Sequence, residues 1–486
     1  MAHRRSEPRI ILGPVLYLRG EQGDRWRLSA LFVLDGETEP DDLRVDGVTL
    51  PVPPRHVTQW HQRHVWRFDF AIPRGAQDTE ATYGFPDGPS WRLIVPARTP
   101  LLRFAYIYGS ATSDIPGGRE SGTAAVSTWR TLLQRHQVEK FHALLQGGGQ
   151  MAGDRLLDDC PELAAWRAES ARSRAAAPLS AGLAEAVVSF YFDSYLREWS
   201  RPEVAEVLAR VPSVMMWGPP DGAPDLASDP QSKVVRSVLM AARRHFTLFQ
   251  LGAVAEAMPD SVWGSARATF TQGHLLGDVG LLALDLRSER TSTRVMSDRV
   301  WSLLPGWLER FAEARHLILL SDTPLLFPST ARLETLAAAL PDRLADAAAL
   351  RDLWRSRGHA EEWKRLIGLL SGFSRRTGCR ITMLSGAVGL GGRSLLRGDG
   401  VEMWQVMAPF AGRTPPSPWV ARGLEHLAAR REQPLPGFQL ETPGFTDGGR
   451  RLLDGRGWVS LVFDGKGQLQ ARWTVQDDSR TYAQAI

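Results

Sequence analysis

Apolar and polar positions alternate with a period of two along the first hundred residues, in Val15-Leu16-Tyr17-Leu18, over 26–33 and over 64–70, with Gly, Asp and Pro between the runs. That period puts successive side chains on opposite faces of a strand and predicts a small antiparallel β-sandwich over residues 1–98, with a linker at 96–100. From residue 104 the pattern changes to short apolar runs alternating with long stretches of helical period, which predicts a layered α/β domain over 99–486. Strands are expected at 104–108, 141–145, 214–217, 280–286, 316–320 and 380–384, and helices at 127–137, 232–257, 298–314, across 330–376 and at 421–431. Residues 160–210 read as largely helical, with Phe190, Tyr191, Phe192, Tyr195 and Trp199 as core packing. Two further strands, 458–463 and 468–475, are joined through Asp464-Gly465-Lys466-Gly467 as a hairpin.

In open α/β sheets, ligands and catalytic groups gather where strands stop, so the loops there are the place to look for carboxylates, imidazoles and hydroxyls. The loop after the second of these strands, Gly147-Gly148-Gly149-Gln150-Met151-Ala152-Gly153-Asp154, offers glycines, an alanine and one aspartate. Gly218-Pro219-Pro220-Asp221 and Ser385-Gly386-Ala387-Val388-Gly389 are as poor in donors.

Composition narrows the classes. Of 486 residues, 43% are hydrophobic and 23% charged, which excludes wholesale disorder. The net charge of +4 comes from arginines scattered along the chain rather than gathered in runs, so it reads as a solvated surface with no nucleic-acid partner. Cys160 and Cys379 are far apart and without metal-ligand spacing, which fits a reducing, cytoplasmic location. Arg4-Arg5 precedes an apolar stretch at 10–18, but Pro14 interrupts it, Arg19 closes it and no small-residue cleavage site follows. A first strand fits better than an export signal. No run approaches the eighteen apolar residues of a membrane span, so no membrane partner is expected.

The sequence 144–154 resembles the PhoD-like family of alkaline phosphatases and phosphodiesterases, whose corresponding segment reads LLQGGDQIYAD. The likeness extends over about 10–475, through Ala241-Ala242-Arg243-Arg244-His245-Phe246 and Arg287-Ser288-Glu289-Arg290, and implies a β-domain followed by a metallophosphatase-like domain. It also implies a site of ferric iron beside calcium, held by carboxylates, a cysteine and a tyrosine. Position by position, this chain lacks those ligands. The family's serine-cysteine pair is Ser110-Ala111 here. Gly149 stands at the metal-bridging aspartate and Ala152 at the tyrosine, while Asp154 matches a last aspartate that is not a main ligand. The family's MMWDDHDIFDGWGS reads MMWGPPDGAPDLAS, so Gly218, Pro219 and Pro220 replace Asp, Asp and His, and Asp221 and Ser228 survive. LSGDVH reads LSGAVG, with Ala387 and Gly389 at the aspartate and histidine. Flanking Met215, Met216, Trp217, Leu384, Ser385, Gly386 and Arg393 are kept.

Three functional readings follow. The first is a pseudophosphatase with no cofactor, binding a protein partner or a phosphorylated ligand and leaving a residual cavity where ligands were lost. A residual or anion-binding site would then use Asp154, Asp221, Asp225, Ser385 and Arg393, the last behind Gly389-Leu390-Gly391-Gly392. The second is an active metal-dependent phosphomonoesterase or phosphodiesterase with a relocated site among Asp114, Asp154, Asp221, Asp225, Asp229 and Asp322. The third is a filled cleft, with the protein working through its surface. Asp154 and Asp221 also have a purely structural reading, as caps or loop ties.

Overall fold

A computed structural model describes residues 9–111, 119–222, 232–264, 269–330, 352–445, 449–476 and 480–486. The long alternating segments at the N-terminus form strands Ile10–Gln22, Arg25–Asp35 and Arg63–Pro73, paired antiparallel in sequence order. They do not stop at a domain edge. Ile10–Gln22 also pairs in parallel with Ser213–Met215, through Tyr17 opposite Ser213, so the sheet runs on across position 98. Ten strands result, in the order Arg480–Ala485, Leu469–Val475, Gly457–Phe463, Arg103–Ile107, Ala143–Gln146, Ser213–Met215, Ile10–Gln22, Arg25–Asp35, Arg63–Pro73 and Arg55–Trp60. The N-terminal sandwich is there, but one of its layers is this shared sheet. The other is a four-stranded sheet (44–45, 48–49, 79–84 and 90–95), packed on it through Phe32 against Phe85 at 5.2 Å and Phe70 stacked on Tyr83 at 5.7 Å.

The three short central strands, Arg103–Ile107, Ala143–Gln146 and Ser213–Met215, are parallel and almost wholly buried, as continuous apolar runs with both faces covered should be. Their side chains divide strictly by parity. Phe104, Tyr106, Tyr108, Leu145, Val214 and Met216 face one core, and Ala105, Ile107, Leu144 and Met215 face the other. The second core lies under helices that include Arg119–Glu139, Ala181–Trp199 and Lys233–His245. Each fully buried Leu or Phe there contributes about 2 kcal/mol of transfer free energy.

Across the first core lies a second, nine-stranded sheet, in which Val279–Ala283, His316–Leu320, Arg380–Ser385 and Val401–Met407 run parallel. Its hairpin Gly391–Gly398 with Val401–Met407 was not expected from the sequence; Asp399 and Gly400, at φ 52° and 75°, make the tight turn that the right-handed strand twist favours. The helix expected over 232–257 ends early. After His245 it widens into a π turn, Phe246–Gln250, which carries Gln250 to the strand ends. Of the helices expected across 330–376, Ala360–Thr377 is described, ending at Gly378 in the left-handed conformation, and 331–351 lie outside the described residues. Among the described residues no helix is long and apolar enough to cross a membrane.

Candidate functional site

The parallel strands of both sheets stop at the same end of the inter-sheet core, and their loops are tied to one another by backbone. Gly109 N–H donates to Gly148 C=O at 2.9 Å and Ala111 N–H to Gly149 C=O at 3.0 Å. In the second sheet, Ala387 N–H donates to Asp322 C=O at 3.0 Å. Ala411 N–H donates to Tyr108 C=O at 2.9 Å, joining the loop after Val401–Met407 to the first sheet. The strand-end loops singled out in the sequence therefore form one rim.

Within that rim the backbones touch. A Cβ added to Gly218 would sit 2.6 Å from Gly149 N, and one added to Gly148 would sit 2.9 Å from Gly218 Cα. No real side chain is held that close to main chain, so the two loops pass each other only because neither carries one. Asp221 locks this contact from below. Its carboxylate, 1% exposed, accepts the N–H of Gly218 at 2.8 Å, of Gly149 at 3.0 Å and of Met151 at 3.0 Å, and the Gln250 amide at 3.1 Å. Gln250 in turn donates to the Tyr195 hydroxyl at 2.8 Å and accepts from Gln150 at 3.1 Å, while Gln150 also donates to Met216 C=O. Burial pushes the Asp221 carboxyl up from its usual 3.8 to about 6, against the hydrogen bonds from Gly218, Gly149, Gln250 and Met151, which pull it down. The structural reading of Asp221 as a loop tie is the one its geometry matches.

The opposite wall is aromatic. Gly389 has φ +73°, and a Cβ there would lie 2.5 Å from Phe410 Cε2, so the Phe410 ring occupies the place a side chain at 389 would need. That ring stacks on Tyr108, with centroids 6.0 Å apart and planes 20° apart. A Cβ on Gly386 would collide with Tyr108 itself, at 2.1 Å. Among the described residues, the residual cavity expected where ligands were lost is therefore not found between these loops. Phe410, Tyr108 and Asp221 occupy the space, because small residues let neighbouring rings and backbone move in.

The other candidates are placed as follows. Ala111, Gly149, Ala152 and Gly218 are buried in the rim, with Ala387 half-buried at its edge and Gly389 beneath Phe410. Asp154 pairs with Arg413 at 2.7 Å, both a quarter exposed. Ser385 is fully buried and accepts from the Gln405 amide at 2.9 Å. Arg393 lies within the strand Gly391–Gly398 rather than behind a glycine loop, and donates to Gly444 C=O at 3.2 Å and Ala485 C=O at 3.4 Å. Asp322, 0% exposed, is paired with the buried Arg287, which also meets Asp352. Asp114, Asp225, Ser228 and Asp229 lie outside the described residues.

Among the described residues the donor set does not fit a dimetal centre. Among the described residues no three His, Cys, Asp or Glu side chains are grouped to hold a cation. Of the six carboxylates proposed for a relocated site, the three described ones, Asp154, Asp221 and Asp322, are each committed to cations or backbone donors. The histidines His136, His245, His274 and His316 are buried in the core, each pushed well below the usual imidazole range by burial. Sequence reasoning missed Phe410, Gln250 and Arg413. The run Met403-Trp404-Gln405-Val406-Met407 before Pro409 was the available signal for a strand leading to Phe410.

Comparison with known proteins agrees with this architecture. Residues 117–346 match the family of PhoD related phosphatases. An uncharacterized protein of Saccharomyces cerevisiae is 23% identical over 421 residues, covering 73% of this chain and 59% of that protein, so the chain spans about three fifths of that relative's length. Among solved structures, that of PhoD is similar with a TM-score of 0.56 at 12% identity, over 100% of this chain and 90% of the other. A purple acid phosphatase from yellow lupin (Lupinus luteus) seeds gives 0.55 at 10% identity, over 97% and 73%. At such identities these two likenesses establish the fold.

Proposed function

From the premise that the chain is a PhoD-like protein of the metallophosphatase fold, we propose that it is a pseudophosphatase: a binding or regulatory protein that keeps the family's frame without its metal chemistry. One observation carries this reading. The Asp221 carboxylate is spent on the backbone N–H groups of Gly149, Met151 and Gly218, two of which stand at positions the resemblance assigns to metal-ligating aspartates. Metal-assisted hydrolysis needs several oxygen or nitrogen donors converging on one point with a coordination position left open. Here the lone pairs point at amides and the open space holds Phe410. Binding would then use surface away from the rim, which supports the filled-cleft form of the reading. A reducing, cytoplasmic setting is supported by Cys160 and Cys379, both buried and unpaired.

The test is elemental analysis of the purified protein together with phosphomonoesterase and phosphodiesterase assays across added Mg²⁺, Ca²⁺, Mn²⁺ and Fe³⁺. The expected result is substoichiometric iron and calcium and no turnover above the buffer blank. One tightly held ion per chain, with hydrolysis lost on chelation and restored by that ion, would overturn the proposal.

A further inference from the structure

A second feature lies on the same ten-stranded sheet, on the four strands that follow Ser213–Met215 in its order. Arg19, Arg25, Arg27, Arg55 and Arg67, from four neighbouring strands, line one pocket of about 480 Å³, together with only two carboxylates, Asp69 and Asp260. That surplus of three positive charges compares with a net +4 for the whole protein. The volume is that of a small-molecule site.

The arginines have two roles. Arg19 and Arg67 are anchored. Arg19 donates to Ser29 Oγ at 2.7 Å and to Leu251 C=O at 2.9 Å; Arg67 donates to Asp69 at 2.9 Å and to Gly252 C=O at 3.1 Å. They fix the turn after Gln250 and set a standing positive charge in the floor. Burial, and after it the neighbouring Arg67, pull the Arg19 guanidinium down to about 10, the mark of cations crowded out of water. Arg25, Arg27 and Arg55 face the opening. Arg27 meets the exposed Asp260 only at 3.9 Å, and neither Arg25 nor Arg55 has an ion-pair partner among the described residues. Arg55 stands directly opposite Arg67 on the adjacent strand, a like-charge pair that destabilises a sheet unless an anion lies between.

We propose that this pocket binds a small molecule carrying two or more adjacent phosphates. Three guanidinium forks around one opening match the oxygen geometry of neighbouring phosphates better than that of a single one. Leu50, Val52 and Met258 in the lining supply apolar surface for the rest of the ligand. A volume of about 480 Å³ favours a compact ligand over a nucleic-acid strand. The inference stands whether or not the rim is catalytic, since its readout is binding in chelator-containing buffer.

Isothermal titration of the full chain with tripolyphosphate and with ATP, in EDTA at low ionic strength, provides the test. Micromolar binding of at least one is expected, weakened at higher salt. Arg27→Ala/Arg55→Ala should lower affinity about a hundredfold, roughly tenfold per charge-assisted fork removed, with thermal melting unchanged or slightly raised. Asp260→Ala, at a side chain 92% exposed, should tighten binding several-fold by removing the opposing charge. Failure of both probes to bind, or binding indifferent to all of these substitutions, would overturn the proposal. Binding of a single-stranded oligonucleotide in preference to both probes would also do so, by making the pocket part of a nucleic-acid surface.

Discussion

The rim and the arginine pocket share one sheet and solve opposite electrostatic problems. At the rim the buried Asp221 carboxylate is surrounded by four neutral donors; in the pocket five cations share two carboxylates and keep contact with solvent. A buried charge satisfied by fixed backbone dipoles holds loops together and has nothing left to offer a ligand. A cluster with unmatched charge costs stability until something of opposite sign arrives. On the proposed reading, the rim is structural and phosphate recognition belongs to the neighbouring strands of the same sheet.

The sharpest break of that contrast comes from Asp221→Ala. It strands three buried N–H groups at about 1–3 kcal/mol each, so a loss of about 3–6 kcal/mol in denaturant unfolding is expected. A loss below about 1 kcal/mol would mean that water reaches the loops and the rim is open. Next is Gly389→His, which forces a side chain at φ +73° into the Phe410 ring and should cost about 2–4 kcal/mol. Adding Phe410→Ala should recover part of that loss, so the two changes will not be additive; strict additivity would place the ring elsewhere.

A smaller effect sharpens the comparison through pH. Because the folded-state carboxyl of Asp221 titrates near 6 rather than 3.8, its stabilising contribution is complete below 3.8 and disappears as pH rises through 6. The stability gap between the native protein and Asp221→Asn should therefore widen, in the native protein's favour, by about 2–3 kcal/mol between pH 7 and pH 4. Both chains will lose stability overall in acid, since the neutral buried His136, His245, His274 and His316 have pKa values far below that of an unfolded imidazole, and their contribution falls away below about 6.5. The smallest effect belongs to the pocket: Arg25→Ala or Arg55→Ala should shift stability by about 0.5 kcal/mol or less, and a loss of several kcal/mol would make those side chains structural.

Much of this was legible in the sequence where the signal is local. His316–Leu320 and Arg380–Ser385 show as apolar runs, and the missing donors at Ala111, Gly149, Gly218 and Ala387 need only alignment with a motif. What was not legible is what depends on distant partners. Ile10–Gln22 looks like the start of a self-contained sandwich until Ser213–Met215 appears beside it. Gly391-Gly392 and Asp399-Gly400 suggest loop, although Asp399-Gly400 is a tight-turn signal between two apolar runs. Phe410 and Gln250 reach the rim from about 260 and 100 residues beyond Gly149, and no spacing rule joins them to it. The pocket arginines read as scattered surface charge, because only strand register brings 19, 27, 55 and 67 onto neighbouring strands.

The parallel pairing of Tyr17 with Ser213 also bears on how the chain is made. A ribosome adding about 5–20 residues per second would leave one side of the first strand without its neighbour for roughly 10–40 s. During that interval Ile10–Gln22 offers an apolar ribbon with free amides, an invitation to cross-pairing between nascent chains on one message. Yield in a heterologous host should therefore depend more on chaperone supply early in translation than on the thermodynamic stability of the finished protein.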